Sequence, residues 1–253
     1  MFNFRFKALA ICCFALSFFF SLFGSEQHDR LVKDQFPGAQ LWFEKMSQKY
    51  PVAQLDNVLF CVSDNYLSRT NVIYWPETRL HAINEAYTHK NHQDLENMFK
   101  QDEYLLLHEA AHILKNHMQK GYLALILTCT ALATFNSYIA EKVCNNDFTI
   151  LNTIEYFMHG LVGNIIIFAV LAQYVQLQEQ QADDFANEYG DERSLQAGAD
   201  WFADLEKCML EDQQHAELIK QLIIIAKDPW HPSPQSRHQK VITALNNQKT
   251  SLI

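Results

Sequence analysis

The sequence predicts a mainly α fold of the α+β class: long helices, a small β-hairpin or sheet, and an apolar helical hairpin set between two parts of one polar site. Three observations predict it. His108-Glu109-Ala110-Ala111-His112 carries histidines four residues apart, a spacing that puts both imidazoles on one face of a helix. Two uncharged segments follow, Gly121 to Ala140 and Tyr156 to Gln178, of 20 and 23 residues. Two short runs, Asn57 to Val62 and Asn71 to Trp75, carry the β-branched and aromatic residues of strands.

The elements are expected in the following order. Residues 1–24 join a basic start (Arg5, Lys7) to an apolar run from Ala8 to Phe23, which reads as a cleaved secretory signal or as a retained membrane anchor. Gly24 suits cleavage, whereas Leu22 is bulky for the position two residues before it. Residues 25–253 then form one domain, interrupted by the apolar hairpin over 121–178. A helix over about Gln40 to Lys49 precedes the two β-rich runs, which pair as a hairpin across their polar connection. The motif helix runs from about Gln93 to Met118, with His117 capping its last turn alongside Lys115 and Lys120. A second polar helix opens at Glu179. Further helices span Leu195 to Met209, Gln213 to Ala226 and Ser236 to Leu245, with a break at Asp228-Pro229.

The histidine pair with its adjacent glutamate is the arrangement of a catalytic zinc site, although an exposed helix can carry two histidines by chance. His108 and His112 would ligate, and Glu109, one step round the helix, would lie near a water on the metal. A third ligand decides the subclass. Leu114 and Met118 stand where a metzincin needs Gly and His, which excludes that arrangement. Glu179, in Glu179-Gln180-Gln181-Ala182-Asp183, completes a His/His/Glu shell with one open position.

Three separated signals carry a family likeness: His-Glu-Ala-Ala-His at 108–112, Glu-Gln-Gln-Ala-Asp at 179–183, and His231-Pro232-Ser233-Pro234-Gln235-Ser236-Arg237. In this order they resemble the membrane-associated zinc peptidases that include the HtpX heat-shock proteases and the CAAX prenyl-protein proteases. The resemblance implies a zincin-like catalytic domain with one Zn2+ per chain, Glu109 as the base, and zinc-dependent endopeptidase activity on membrane or envelope polypeptides, in the setting of protein quality control. It implies that Asp183 orients a ligand histidine, where the alternative is a solvated helix-face acid. It also implies that His231 or Arg237 donates to the reaction's oxyanion, where His231 could equally be a turn residue of a Pro-rich loop. A strand beside the metal helix binds extended substrate in peptidases of this build, and 71–75 is the candidate here, a plain structural hairpin being equally compatible.

Each uncharged segment is long enough at about 1.5 Å per residue to cross a hydrocarbon core of about 30 Å, so a lipid bilayer is an expected partner. Gly160 and Gly163 could let the two helices approach closely. The alternatives are a soluble secreted peptidase that buries this hairpin, and a membrane-bound zinc scaffold without turnover. Arg5 and Lys7 place the N-terminus inside, hence the site on the periplasmic face of a bacterial inner membrane; Lys115 and Lys120 against Lys142 pull weakly the other way. The net charge of −9 speaks against a nucleic-acid partner. None of the six cysteines forms a Cys-x-x-Cys pair, and a disulfide between Cys61 and Cys208 stays open. His81, His89 and His92 fit no ligand spacing and read as surface residues.

Overall fold

The computed structural model describes residues 30–64, 66–89, 98–145, 150–214 and 231–251. Its elements are α1 (Val32–Gln35), α2 (Pro37–Lys49), two 3-10 turns (Pro51–Ala53 and Leu55–Asn57), β1 (Leu59–Ser63), β2 (Leu67–Arg69), β3 (Val72–Pro76) and α3 (Glu77–His89). There follow α4 (Lys100–Leu114), α5 (His117–Asn145), α6 (Ile150–Tyr189), α7 (Glu192–Gln214) and α8 (Pro234–Ser251). The chain is mainly α with one small sheet, the expected class. The expected N-terminal segment over 1–24, the start of the motif helix over 93–97 and the helix over 215–226 lie outside the described residues. The described residues divide into two compact units, one of 30–119 with 175–251 and the other of 120–174.

In the first unit the three strands lie in the order β1-β3-β2. The expected hairpin of the two β-rich runs is not formed: β1 and β3 pair in parallel, Leu59 opposite Val72 through Ser63 opposite Pro76. The hairpin is instead β2–β3, closed by Thr70-Asn71, with Arg69 opposite Val72 and Leu67 opposite Tyr74. The polar stretch between the two β-rich runs contains a strand. β3 is therefore central and paired on both sides, and β2 lies at an edge.

Aromatic side chains join sheet to helix. Phe43 of α2 stacks on Phe60 of β1 with ring centres 3.8 Å apart, and meets Trp75 of β3 edge-on at 5.5 Å. Cys61 is buried and Cys208 exposed, and no disulfide joins them.

Helix α4 is buried almost all round, from Lys100 to Ala111 with Gln101 excepted, as befits a helix at the centre of a core. Its sequence favours a helix: Leu, Ala, Glu, Lys and Gln dominate, and Asp102 and Glu103 in the first turn complement the helix dipole. Both acids are buried and both are paired. Asp102 accepts from Arg79 and Tyr66, and Glu103 from Lys49, Lys100 and Tyr50. Lys49 and Lys100 also bind Asp191, at 2.6 and 2.7 Å, tying α2 and α4 to the start of α7. Gly198 of α7 lies under the Tyr104 ring, where a Cβ would come within 2.8 Å, so this helix crossing needs glycine.

Helix α4 ends earlier than expected, at Leu114. Asn116 adopts the left-handed conformation (φ 53°), which asparagine tolerates, and the chain restarts as α5 at His117. The expected new helix at Glu179 is absent too. Between Gly163 and Tyr189 there is neither Gly nor Pro, and α6 runs unbroken for 40 residues from the apolar segment through Glu179 and Asp183.

In the second unit, parts of α5 and α6 lie side by side. Asn136 and Asn164 exchange amide hydrogen bonds at 3.3 and 3.5 Å, and Phe135 packs where a Cβ on Gly163 would overlap its ring. Gly160 has no such neighbour. The hydroxyls of Thr128, Thr130 and Thr134 donate to carbonyls four residues back, so they are satisfied within their own helix. The large apolar side chains face outward: Leu127 is 61% exposed, Phe157 70% and Val170 65%.

Candidate metal centre

One turn of helix α4 separates His108 from His112, and both present Nε2 to the same point, 3.1 Å apart. Glu179 of α6 closes the group, with one oxygen 3.4 Å from His108 Nε2 and the other 3.4 Å from His112 Nε2. Ligand atoms about 2.0–2.1 Å from a tetrahedral zinc lie roughly 3.3 Å from one another; the ring nitrogens meet that spacing, and one ligand atom from each of the three residues lies within 4.8 Å of the others. Among the described residues this is the group of His, Cys, Asp and Glu side chains that could hold a metal.

The second helix brings a further carboxylate. Asp183, one turn after Glu179 and 1% exposed, accepts from His108 Nδ1 at 2.9 Å. Its other partner is Arg237, whose Nε and Nη2 reach the two carboxylate oxygens at 2.7 and 2.6 Å. Burial alone would raise the Asp183 pKa, but His108 and Arg237 hold it below the usual range. Arg237, expected as an oxyanion donor, thus spends its fork on Asp183, and its guanidinium lies over the Phe202 ring at 4.4 Å. The local sequence explains its position. Ser233 caps α8 by accepting from the Ser236 amide at 3.2 Å, Pro234 opens the helix, and Arg237 falls on its inner face.

The two histidines differ in charge preference. Burial opposes a charged His108, but Asp183 and Glu179 outweigh it and bring its pKa up to about 10; carboxylates that favour a proton on Nε2 also favour a metal cation there. His112 is pushed down to about 3, first by burial and then by His108 beside it, so it is a neutral imidazole. Glu179 is lowered to about 2, its own burial being overcome by His108, His112 and His231. His231 Nε2 lies 3.5 Å from Glu179, on a half-exposed side chain at the open side of the group.

Glu109 is 9% exposed, and burial raises its pKa above the usual carboxylate value. Its carboxylate accepts a hydrogen bond from the Ser68 hydroxyl of edge strand β2. Strand β3, the expected substrate strand, is paired on both sides; β2, at the sheet edge, meets the motif helix more extensively than β3 does.

Sequence reasoning missed three residues here. Ser68 lay in what read as a turn. His117, expected at the end of the motif helix beside Lys115 and Lys120, is instead 3% exposed at the start of α5, with Nδ1 3.0 Å from His112 Nδ1. Gln181, on the helix that carries Glu179, lies 3.1 Å from His117 Nε2. The left-handed Asn116 that turns His117 inward leaves no periodic signal in the sequence.

Residues 92–241 match the family model described as peptidase family M48, a span that includes all of these side chains except Ser68. No curated protein and no solved structure matches the chain.

Proposed function

The chain belongs to peptidase family M48, a family of zinc metallopeptidases, and from that premise we propose that it is a zinc-dependent endopeptidase working on membrane or envelope polypeptides at a membrane surface. The observation that carries the reading is the grouping of His108, His112 and Glu179, whose ring nitrogens lie 3.1 Å apart and each 3.4 Å from a different Glu179 oxygen, beside a buried Glu109. Held by these three residues, zinc supplies Lewis acidity, polarising the scissile carbonyl and making water acidic near neutral pH.

The chain's own residues do the rest. Glu109, made more basic by burial, takes the proton of the attacking water and delivers it to the leaving amine. Asp183 fixes the tautomer and ring plane of His108, and Arg237 fixes Asp183. His231, at the open side of the group, donates to the developing oxyanion. The free edge of β2 pairs with the backbone of an extended substrate.

The membrane setting rests on α5 and α6. Residues 117–142 and 154–189 form helices long and apolar enough to cross a bilayer, and their large apolar side chains are exposed within their own unit, as a lipid-facing surface requires. Glu179 directly follows the second uncharged segment, and His112 precedes the first by nine positions, which keeps the chemistry at the interface. The N-terminal basic residues put that interface on the periplasmic side of an inner membrane.

The test is Glu109→Gln. It removes the base and leaves the ligands, so the purified variant should retain zinc while proteolysis of an unfolded substrate falls by about 10²–10⁴-fold. Cleavage at the wild-type rate would overturn the reading.

A further inference from the structure

Asp183 supports His108, and the chemistry above leaves His112 without a counterpart. One is present. The ring of His117 meets that of His112 edge-on, with centres 4.9 Å apart, and its Nδ1 lies 3.0 Å from His112 Nδ1. The Nε2 of His112 faces His108 and Glu179, so as a ligand it must offer a lone pair and carry its proton on Nδ1. Among the described residues, the acceptor that this proton meets is His117 Nδ1. His117 then carries its own proton on Nε2, which points at Gln181 Oε1 at 3.1 Å. Donor and acceptor alternate along the whole row.

The backbone holds the row in place. Left-handed Asn116 breaks the helix between the two histidines, Lys115 Nζ donates to the Gln181 carbonyl at 2.9 Å, and Gln178 Nε2 donates to the His117 carbonyl at 3.2 Å. The junction of α4 and α5 is thereby fastened to the same stretch of α6 that carries Glu179.

We infer that His117 and Gln181 are positioning residues of the metal centre: they fix the tautomer and ring plane of His112 through a neutral imidazole–carboxamide relay, as Asp183 fixes those of His108 through a charge. This rests on the zinc reading above. The pairing gives the two ligand histidines unequal support, one charged and one neutral, which limits the negative charge gathered around the ion.

The experiment uses the full chain in detergent, with zinc affinity measured by chelator competition and Co2+ absorption recorded as a reporter of ligand geometry. His117→Phe keeps a buried ring and removes the acceptor, whereas His117→Asn returns an oxygen near the Nδ1 position. The inference predicts zinc binding roughly 10–100-fold weaker in the Phe variant with an altered cobalt spectrum, and within about 3-fold of wild type in the Asn variant. Should the Phe variant fail to fold, Gln181→Leu decides, with an expected loss of about 3–10-fold. Wild-type affinity and an unchanged cobalt spectrum in His117→Phe, or in Gln181→Leu where that variant decides, would overturn the inference and leave the zinc reading standing. Equal losses in the Phe and Asn variants would reduce His117 to a packing role and overturn it too. A folded wild type that takes up no zinc would overturn both.

Discussion

Replacing Arg237 by Met removes the guanidinium from Asp183 while keeping much of the side chain's length. Arg237 is 8% exposed and Asp183 1%, so the variant strands a carboxylate in the interior. Breaking a buried pair in this way costs about 3–5 kcal/mol, and the surviving bond from His108 argues for the lower end, about 3 kcal/mol. At roughly 2–4 °C per kcal/mol for a chain of this size, the unfolding midpoint should fall by about 6–12 °C. The assay is thermal unfolding by circular dichroism with metals chelated, so that zinc affinity does not enter. A companion carrying Asp183→Leu with Arg237→Met buries no charge and should recover part of the loss. A fall of less than about 2 °C in the single variant, or a double variant worse than the sum of the two singles, would refute the view that Asp183 and Arg237 act as one buried unit.

Two further outcomes are expected. Asp191 binds Lys49, Lys100 and the Ser194 amide, and although burial opposes its charge these partners hold its pKa below the usual value. A depressed carboxylate stabilises the fold above its unfolded pKa of about 3.9 and loses that contribution as pH falls through the folded value. The stability gap between wild type and Asp191→Asn should therefore be full at neutral pH and close progressively below about pH 5 in acid-unfolding curves; a gap that widens with acid would contradict this. For the membrane, carbonate washing should leave the chain in the pellet, and its quantitative release would sink the two-span reading.

How much of this was legible depends on whether a feature is local. The i,i+4 histidines and the Glu-x-x-x-Asp spacing are local, and each put its residues on one helix face. The sheet was not, because Leu67-Ser68-Arg69 is too short and polar to register as a strand, yet it takes the antiparallel edge of β3 and leaves β1 the parallel one. Helix α3 was overlooked for a similar reason: Glu77–His89 is polar on average and carries only a weak apolar face. The continuity of α6 escaped notice because a switch from apolar to polar residues at Gln178 resembles a boundary, while the breakers that would make one are missing. His117 depended on a backbone turn at one asparagine, and Arg237 on a partner 54 residues away.

The central claim is that His108, His112 and Glu179 together hold one catalytic zinc. Its most direct test is the zinc content of the detergent-purified chain beside Glu179→Ala, with casein cleavage followed in parallel. One zinc per wild-type chain, lost along with proteolysis when Glu179 is removed, is the predicted result; a wild type without zinc, or zinc retained undiminished in Glu179→Ala, would contradict it.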